Sequence, residues 1–400
     1  MTDLLQPTTL RRHESWRAQS LSPNTIVRAF KRMWMEIADE RREGNRLSKQ
    51  MVDGAMVRTQ TINLVTLSDT EDDLRRVDRL VRGLSEFVPS RIIMLLDSHG
   101  WDDDLEISAE VEEHPRTPPL SPSRLEMVMV KARPEQLASV ALPVLVPELP
   151  VYVWCASGKF VDNELVADLA RYGDRVVVDS SLVDRPGVAL RYLAELCGQS
   201  RTDVRLGDFA WTRLTAWRQM VAQFFDTDDA IRSLHGIDEV VVEYGDAPSG
   251  GRSATTSALL LAGWLATRLG WRTPGEEMVR SKDGWRLTFR AGERGRSREV
   301  VLVLRPVWSD ADSPSLLSVQ MTSGGLEPAS FSIHRTSPET IVTVGELPDA
   351  APVERTIFAP IDDDPRLLTA ELRMSGYDQV YVEALAFAAR LWPEEETTAR

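Results

Sequence analysis

Few side chains in this 400-residue chain stand at spacings that could do chemistry. The most suggestive stretch is YGDAPSGGRS (244–253), which follows an apolar run and leads into a helical pattern over 254–269. A glycine-rich loop at a helix N-terminus presents free N–H groups and the positive end of the helix dipole, the physical basis of phosphate cradles. Gly245 and Gly250 have the outer spacing of a P-loop, but Gly251-Arg252-Ser253 stands where the phosphate-binding Lys is required. The loop therefore offers an anion site made of Gly250, Gly251, Arg252 and Ser253, without ATPase chemistry. On that reading the chain is a sugar-phosphate or nucleotide-binding enzyme or sensor. The plainer alternative is a turn with Ser253 as the helix cap.

Other reactive groups give less. Asp97 and Asp102–Asp104, like Asp362–Asp364, read as solvated turn acids. The five His (13, 99, 114, 235 and 334) show no nucleophile spacing. A G-x-G-x-x-G after a strand, an H-E-x-x-H, a C-x-x-C pair, an EF-hand loop and a G-x-S-x-G elbow are all missing, so no cofactor, no metal and no enzymatic activity are expected. The two Cys, Cys155 and Cys197, lie in apolar surroundings and read as reduced, buried thiols. A net charge of −14 argues against a nucleic-acid partner. No apolar run reaches the ~18 residues of a membrane span, and the N-terminus lacks an apolar signal core, so a cytoplasmic protein is expected.

The most informative segment is DFAWTRLTAWRQMVAQFFD (208–226), which reads as a single helix. Trp211, Leu214, Val221 and Phe225 form a stripe that Trp217 and Phe224 flank. So large an aromatic area is either core or an anchor for another protein. A second amphipathic helix opens at Pro23, with Ser22 as cap, and runs through about Glu40. Its apolar stripe is Ile26, Phe30, Met33 and Ile37, and Arg28, Lys31 and Arg32 make a basic flank. The partner-binding candidates are Trp211, Arg213, Trp217 and Arg218 on the first segment, and Trp34 and Arg28 on the second.

The elements around these segments have two grammars. Residues 1–22 read as a polar arm and 41–54 as a linker. From 55 to 271 apolar strands such as 91–97, 150–155 and 175–181 alternate with helices such as 69–87 and 186–198. After Trp271 short strands follow one another at 285–291, 298–307, 316–324, 329–336 and 340–347. The expected class is α/β: a mostly parallel sheet with helices on both faces, then a smaller antiparallel β meander and terminal helices. The expected division is an N-terminal arm and helix (1–50), an α/β domain (51–160), a second α/β plus antiparallel domain (161–347), and an acidic linker with a last helix (348–400).

The segments VRTQTINLVTL (57–67), PSRIIML (89–95), LEISAEV (105–111), VPELPVYVWC (146–155), RVVVDSS (175–181), 208–226 and LLLAGWLATRLGW (259–271) fall in an order that resembles the glucose-6-phosphate dehydrogenase assembly protein OpcA family. The resemblance covers roughly 50–272, and its most specific part is Trp211-Thr-Arg-Leu-x-x-Trp217-Arg218. It implies a non-catalytic assembly factor or allosteric activator of glucose-6-phosphate dehydrogenase, the NADP-linked entry enzyme of the oxidative pentose phosphate pathway. It also implies two domains that part near the LPVYVWC strand. Photosynthetic members link activation to cysteine redox state. Here Cys155 stands where the family pattern has the second Trp of a pair, and this departure weighs against redox control.

Overall fold

The computed structural model describes residues 9–18, 21–48, 60–84, 88–97, 105–114, 123–198, 205–246, 253–273, 278–292, 297–308, 315–324, 328–374 and 376–393. The chain divides into two compact units, Met1–Val178 with Thr202–Val204, and Asp179–Arg201 with Arg205–Arg400. The division falls after Val178, where the sequence reading set it at 160.

The first unit comprises β1 (Leu10–Ala18), α1 (Pro23–Ser48), β2 (Ile62–Ser68), α2 (Glu71–Leu84), β3 (Ser90–Asp97), β4 (Leu105–His114), β5 (Ser123–Ala132), α3 (Pro134–Ala141), β6 (Val151–Cys155), α4 (Glu164–Ala170) and β7 (Arg175–Val178). Its strands lie side by side in the order β1-β4-β5-β3-β2-β6-β7. The five from β5 to β7 are parallel. Their runs are buried on both sides, which is why they read as continuous apolar sequence. The expected antiparallel pair 105–114 and 124–132 is present as β4 and β5.

Two expectations fail at the N-terminus. Residues 10–18 are no arm but an edge strand, antiparallel to β4. Its sequence, LRRHESWRA, hides the alternation because Arg12 and Glu14 interrupt the inner face of Leu10, Trp16 and Ala18. Arg11 pairs with Glu110 and Glu112 of β4, and Arg12 with Glu40 of α1. Helix α1 continues to Ser48, past the expected linker start, and packs on β1 and β4 of its own unit.

The second unit comprises α5 (Pro186–Gly198), β8 (Arg205–Asp208), α6 (Phe209–Thr212), α7 (Thr215–Gln223), α8 (Asp228–Leu234), β9 (Glu239–Asp246), α9 (Thr255–Arg268), β10 (Val279–Ser281), β11 (Gly284–Ala291), β12 (Arg298–Trp308), β13 (Leu316–Ser323), β14 (Ala329–Ser337), β15 (Thr340–Glu346), β16 (Val353–Phe358), α10 (Asp364–Arg373) and α11 (Gln379–Ala388). One sheet runs β10-β11-β12-β9-β13-β14-β15-β16. The meander is real but interrupted, since β9 is inserted parallel to β12 and antiparallel to β13. Periodicity gave β9 as a strand and could not say which sheet it joins. The sheet is also larger than expected, because β16 forms within the segment read as an acidic linker. Glu354 and Arg355 break its apolar pattern, and it is exposed almost throughout.

Helices cover one face of this sheet. Phe331 packs against Phe224 and Phe225 at centroid distances of 5.3 and 4.8 Å. Phe289 sits between Trp271 (5.5 Å) and Phe387 of α11 (5.9 Å). Helices α9 and α11 meet at Gly263, where an added Cβ would collide with the carbonyl oxygen of Ala384.

Candidate functional site

The expected single helix over 208–226 is broken into α6 and α7. Asp208 caps α6 by accepting from Ala210 N (2.9 Å), and a tight turn closes with Leu214 N donating to Trp211 O (3.0 Å). The break points three consecutive side chains at three different segments of the second unit. Trp211 Nε1 donates to Asp378, the cap residue of α11, at 2.8 Å. The Thr212 hydroxyl bonds Glu371 of α10. Arg213 grips Asp179 with both terminal nitrogens, at 2.9 and 2.8 Å. The most specific run of the sequence is thus a three-way clasp within its own unit.

Asp208 lies at the centre of this clasp. It accepts from Ser180 N (3.0 Å), Ser180 Oγ (2.6 Å) and Tyr381 Oη (3.1 Å). Complete burial pushes its carboxyl from 3.8 up to about 6, against the lowering pull of the Ser180 hydrogen bonds. Tyr381 is raised well above its ordinary value by burial and by Asp208. Asp179, Asp208, Glu371, Asp378 and Tyr381 were not singled out from sequence. Asp208 heads the aromatic segment and Asp378 precedes the last apolar run, both cap positions, but nothing local shows that they converge.

The six partner-binding candidates have different fates. Trp34 is buried and donates to Glu126 at 2.8 Å, in a site where Arg91 also holds Glu126. Trp211 and Trp217 are core residues, and Arg213 is enclosed with Asp179. Of the two open readings of the aromatic stripe, the structure takes the core one. Arg218 lies 3.5 Å from the centroid of Trp211, and burial lowers its pKa to about 10. It keeps part of its surface open, and Arg28 is exposed. A cavity of about 280 Å³ beside α7 is lined by Trp217, Met220, Ser257, Arg335 and Asp362 among others.

Gly250, Gly251 and Arg252 of the suggested anion loop lie outside the described residues. Ser253 is described: its hydroxyl accepts from Thr255 N at 3.2 Å, a local turn, and helix α9 has Ala254 as its cap residue instead. Both thiols are free, and burial pushes Cys155 up to about 12 and Cys197 up to about 11. Among the described residues no group of His, Cys, Asp and Glu could hold a metal ion, and no helix is long and apolar enough to cross a membrane.

The first unit invites a cofactor test. Its parallel strands follow the doubly wound order, with a switch between β2 and β6 where such folds bind a dinucleotide. The turn after β2 is Ser68-Asp69-Thr70-Glu71, with no glycine to admit a pyrophosphate. Asp69 is bonded to Ser157 across the switch itself, and Ala156 N donates to Leu67 O at 3.0 Å. The N-terminus of α2 is filled by its own residues: Thr70 Oγ1 accepts from Asp73 N (3.1 Å), and Glu71, Asp72 and Asp73 occupy the first turn. The crevice at these strand ends, about 750 Å³, is lined by Asp69, Glu71, Asp97, Glu135, Asp162 and Glu164, with Lys159 the cation among its lining residues. Such walls repel a diphosphate, so the residues present do not fit the dinucleotide that the topology implies.

Residues 81–195 match the family model for the N-terminal domain of the glucose-6-phosphate dehydrogenase subunit, and residues 204–385 match the model for its C-terminal domain. Curated relatives described as OxPP cycle protein OpcA are 30% identical over 137 residues in Synechocystis sp. and 29% over 190 residues in Synechococcus elongatus. These matches cover 34% and 46% of this chain, but only 27% and 40% of the relatives. Among solved structures, the transcriptional regulator Gal80p of Kluyveromyces lactis is similar at TM-score 0.41 and 9% identity, over 86% of this chain and 93% of that one. A myo-inositol 2-dehydrogenase of Lactobacillus plantarum gives 0.43 and 10%, over 82% and 94%. Likeness this distant carries no functional weight. The two domain matches, in the order the sequence motifs required, show that the chain belongs to the OpcA family of glucose-6-phosphate dehydrogenase subunits.

Proposed function

We propose that this protein is a non-catalytic partner of glucose-6-phosphate dehydrogenase that favours the enzyme's active oligomer or conformation in the cytosol, and so promotes NADPH supply. The observation that carries the reading is the pair of domain matches, both named for that dehydrogenase. The acid-lined switch crevice supports it, because a chain that repels dinucleotides has no hydride chemistry of its own. A partner shifts an enzyme only by binding its active state more tightly, and a tenfold shift needs about 1.4 kcal/mol of differential affinity. Of the residues first considered as anchors, Arg28 and the open part of Arg218 are those a partner can touch without unpacking a core. Trp34, Trp211, Arg213 and Trp217 act by holding the elements in place.

The test is co-purification with the cognate dehydrogenase and assay across substrate concentrations. The expected outcome is a stable complex and a raised kcat or lowered KM. Failure to bind, with kinetics unchanged at every substrate level, would discard the reading.

A further inference from the structure

The most specific run of the sequence also walls the cavity of about 280 Å³ in the second unit. Arg213, Trp217 and Met220 line it from the α6–α7 segment, and Arg335 lines it from β14. Ser315 lines it too, and the Ser315 carbonyl accepts from Gly245 N at 3.0 Å, near the carboxyl end of β9. Helix α9 starts at that end of the sheet, so Ser257 of its first turn reaches the same space. The crevice outside the carboxyl end of a strand that feeds a helix is where α/β sheets hold ligands, and the helix start adds the positive end of a dipole.

Two arginines in this wall are short of acceptors. The Arg213 side chain is only 8% exposed and grips Asp179 with its terminal nitrogens, yet its buried Nε has no hydrogen-bond partner. Arg335 is matched less well. Its Nη1 donates to Pro338 O (3.1 Å) and Ala359 O (2.9 Å), its buried Nε has no partner, and it makes no ion pair among the described residues. Buried donors without acceptors are costly and rare in a folded protein, and two beside one cavity call for an acceptor within it. Asp362 also lines the cavity and bonds no other described residue. Burial raises its carboxyl and lowers Arg335, so neither charge is well solvated. With Arg213 neutralised by Asp179, what remains is a cation that lacks an acceptor and a carboxyl that lacks a donor. An oxyanion with a hydroxyl a few bonds away satisfies both. Trp217 and Met220 offer its carbons an apolar wall, with Arg335 5.8 Å from the Trp217 ring centroid. Phe358 also borders the cavity and is 74% exposed, an aromatic surface that a bound molecule would cover. At ~30 Å³ per water the space equals about nine waters, which suits a body of a few carbons.

We propose that this cavity binds a small hydroxylated organic anion, with Arg335 taking its carboxylate or phosphate, Asp362 a hydroxyl and Trp217 its carbon body. The site lies within the second unit, goes beyond the role toward the dehydrogenase and does not depend on it.

Calorimetric titration of the full chain with glycerol phosphate, glycerate, inorganic phosphate and glycerol tests the site. Glycerol phosphate or glycerate is expected to bind saturably at one site per chain, at least about tenfold tighter than inorganic phosphate or glycerol. Which of the two binds better tells a phosphate ligand from a carboxylate one. Arg335→Gln should weaken that binding at least about tenfold. Because Arg335 also holds Ala359, a second variant leaves both arginines in place. Ala216 lines the cavity from α7 and is half-buried, so Ala216→Phe puts a ring into the space. It should abolish binding with circular dichroism unchanged. No saturable binding of either organic anion overturns the proposal. Inorganic phosphate binding as tightly also overturns it and means an adventitious ion only. Affinity unchanged in either variant overturns it too, since the ligand would then sit elsewhere.

Discussion

Asp208 shows how one side chain couples the protein to pH. Its carboxyl titrates near 6 in the folded chain and near 3.8 when free, so the folded chain holds that proton more tightly. Its contribution to stability is therefore greatest below about pH 4, declines as pH rises from about 4 to 6, and stays low above that. Asp208→Asn keeps the acceptor oxygen for Ser180 N and Ala210 N but has no proton to lose. Urea unfolding across this range should show a wild-type decline that the variant lacks, with a difference on the order of 2–3 kcal/mol at the high-pH end. Parallel pH profiles for the two proteins would mean that Asp208 stays ionised throughout. Trp211, Thr212 and Arg213 work at the same scale: each is directed at a carboxylate, and the three carboxylates lie on different segments.

Elements in this protein are set by close approaches as much as by apolar stripes. Helix α9 centres on the apolar run 258–266 of the sequence, and 11 of its 14 residues are buried. Gly263 is the point where it touches α11, and a methyl group there would strike Ala384 O. Gly263→Ala should destabilise the second unit by about 1–3 kcal/mol despite the better helix propensity of Ala. A thermal melt that rises instead would show the two helices free to part. The elements also mark what the sequence makes legible. Helix α2 and strands β3, β4 and β5 follow from apolar period and flanking turn residues, because their environments are simple: one buried stripe, two buried faces or a clean alternation. Strands β1 and β16 escape such a reading because charged residues interrupt them and neither has a fully buried face, and charge on an edge strand looks like loop. The break between α6 and α7 escapes it too, since nothing local shows that the Arg213 side chain reaches Asp179, a carboxylate more than thirty residues away in the chain.

At the scale of the whole molecule, topology and chemistry point in opposite directions. The first unit has the strand order of a dinucleotide-binding fold and a switch sealed by Asp69 and Ser157. Titration of the purified chain with NADP or NAD should leave its melting temperature unchanged, because a ligand that does not bind the native state cannot stabilise it. A saturable rise, made stronger by Asp69→Lys, would place a nucleotide in the crevice after all. The missing glycines were visible in the sequence. The acids that replace the cradle were visible only as scattered residues, since Asp69, Asp97, Glu135 and Glu164 come from four separate parts of the chain. The candidate anchors were legible as residue types but not as locations, because an aromatic stripe reads alike whether a domain or a partner covers it.

The placement of β9 bears on how the protein comes to exist. It lies at the middle of its sheet, yet both its neighbours, β12 and β13, are made later. On the ribosome, Glu239–Asp246 must emerge and wait, with hydrogen-bonding groups bare on both sides, until Arg298–Trp308 and Leu316–Ser323 follow. A message cut short before β12 is encoded would yield an apolar ribbon with no mate, which is an invitation to aggregate. The downstream strands thus protect the nascent chain as well as completing the finished one.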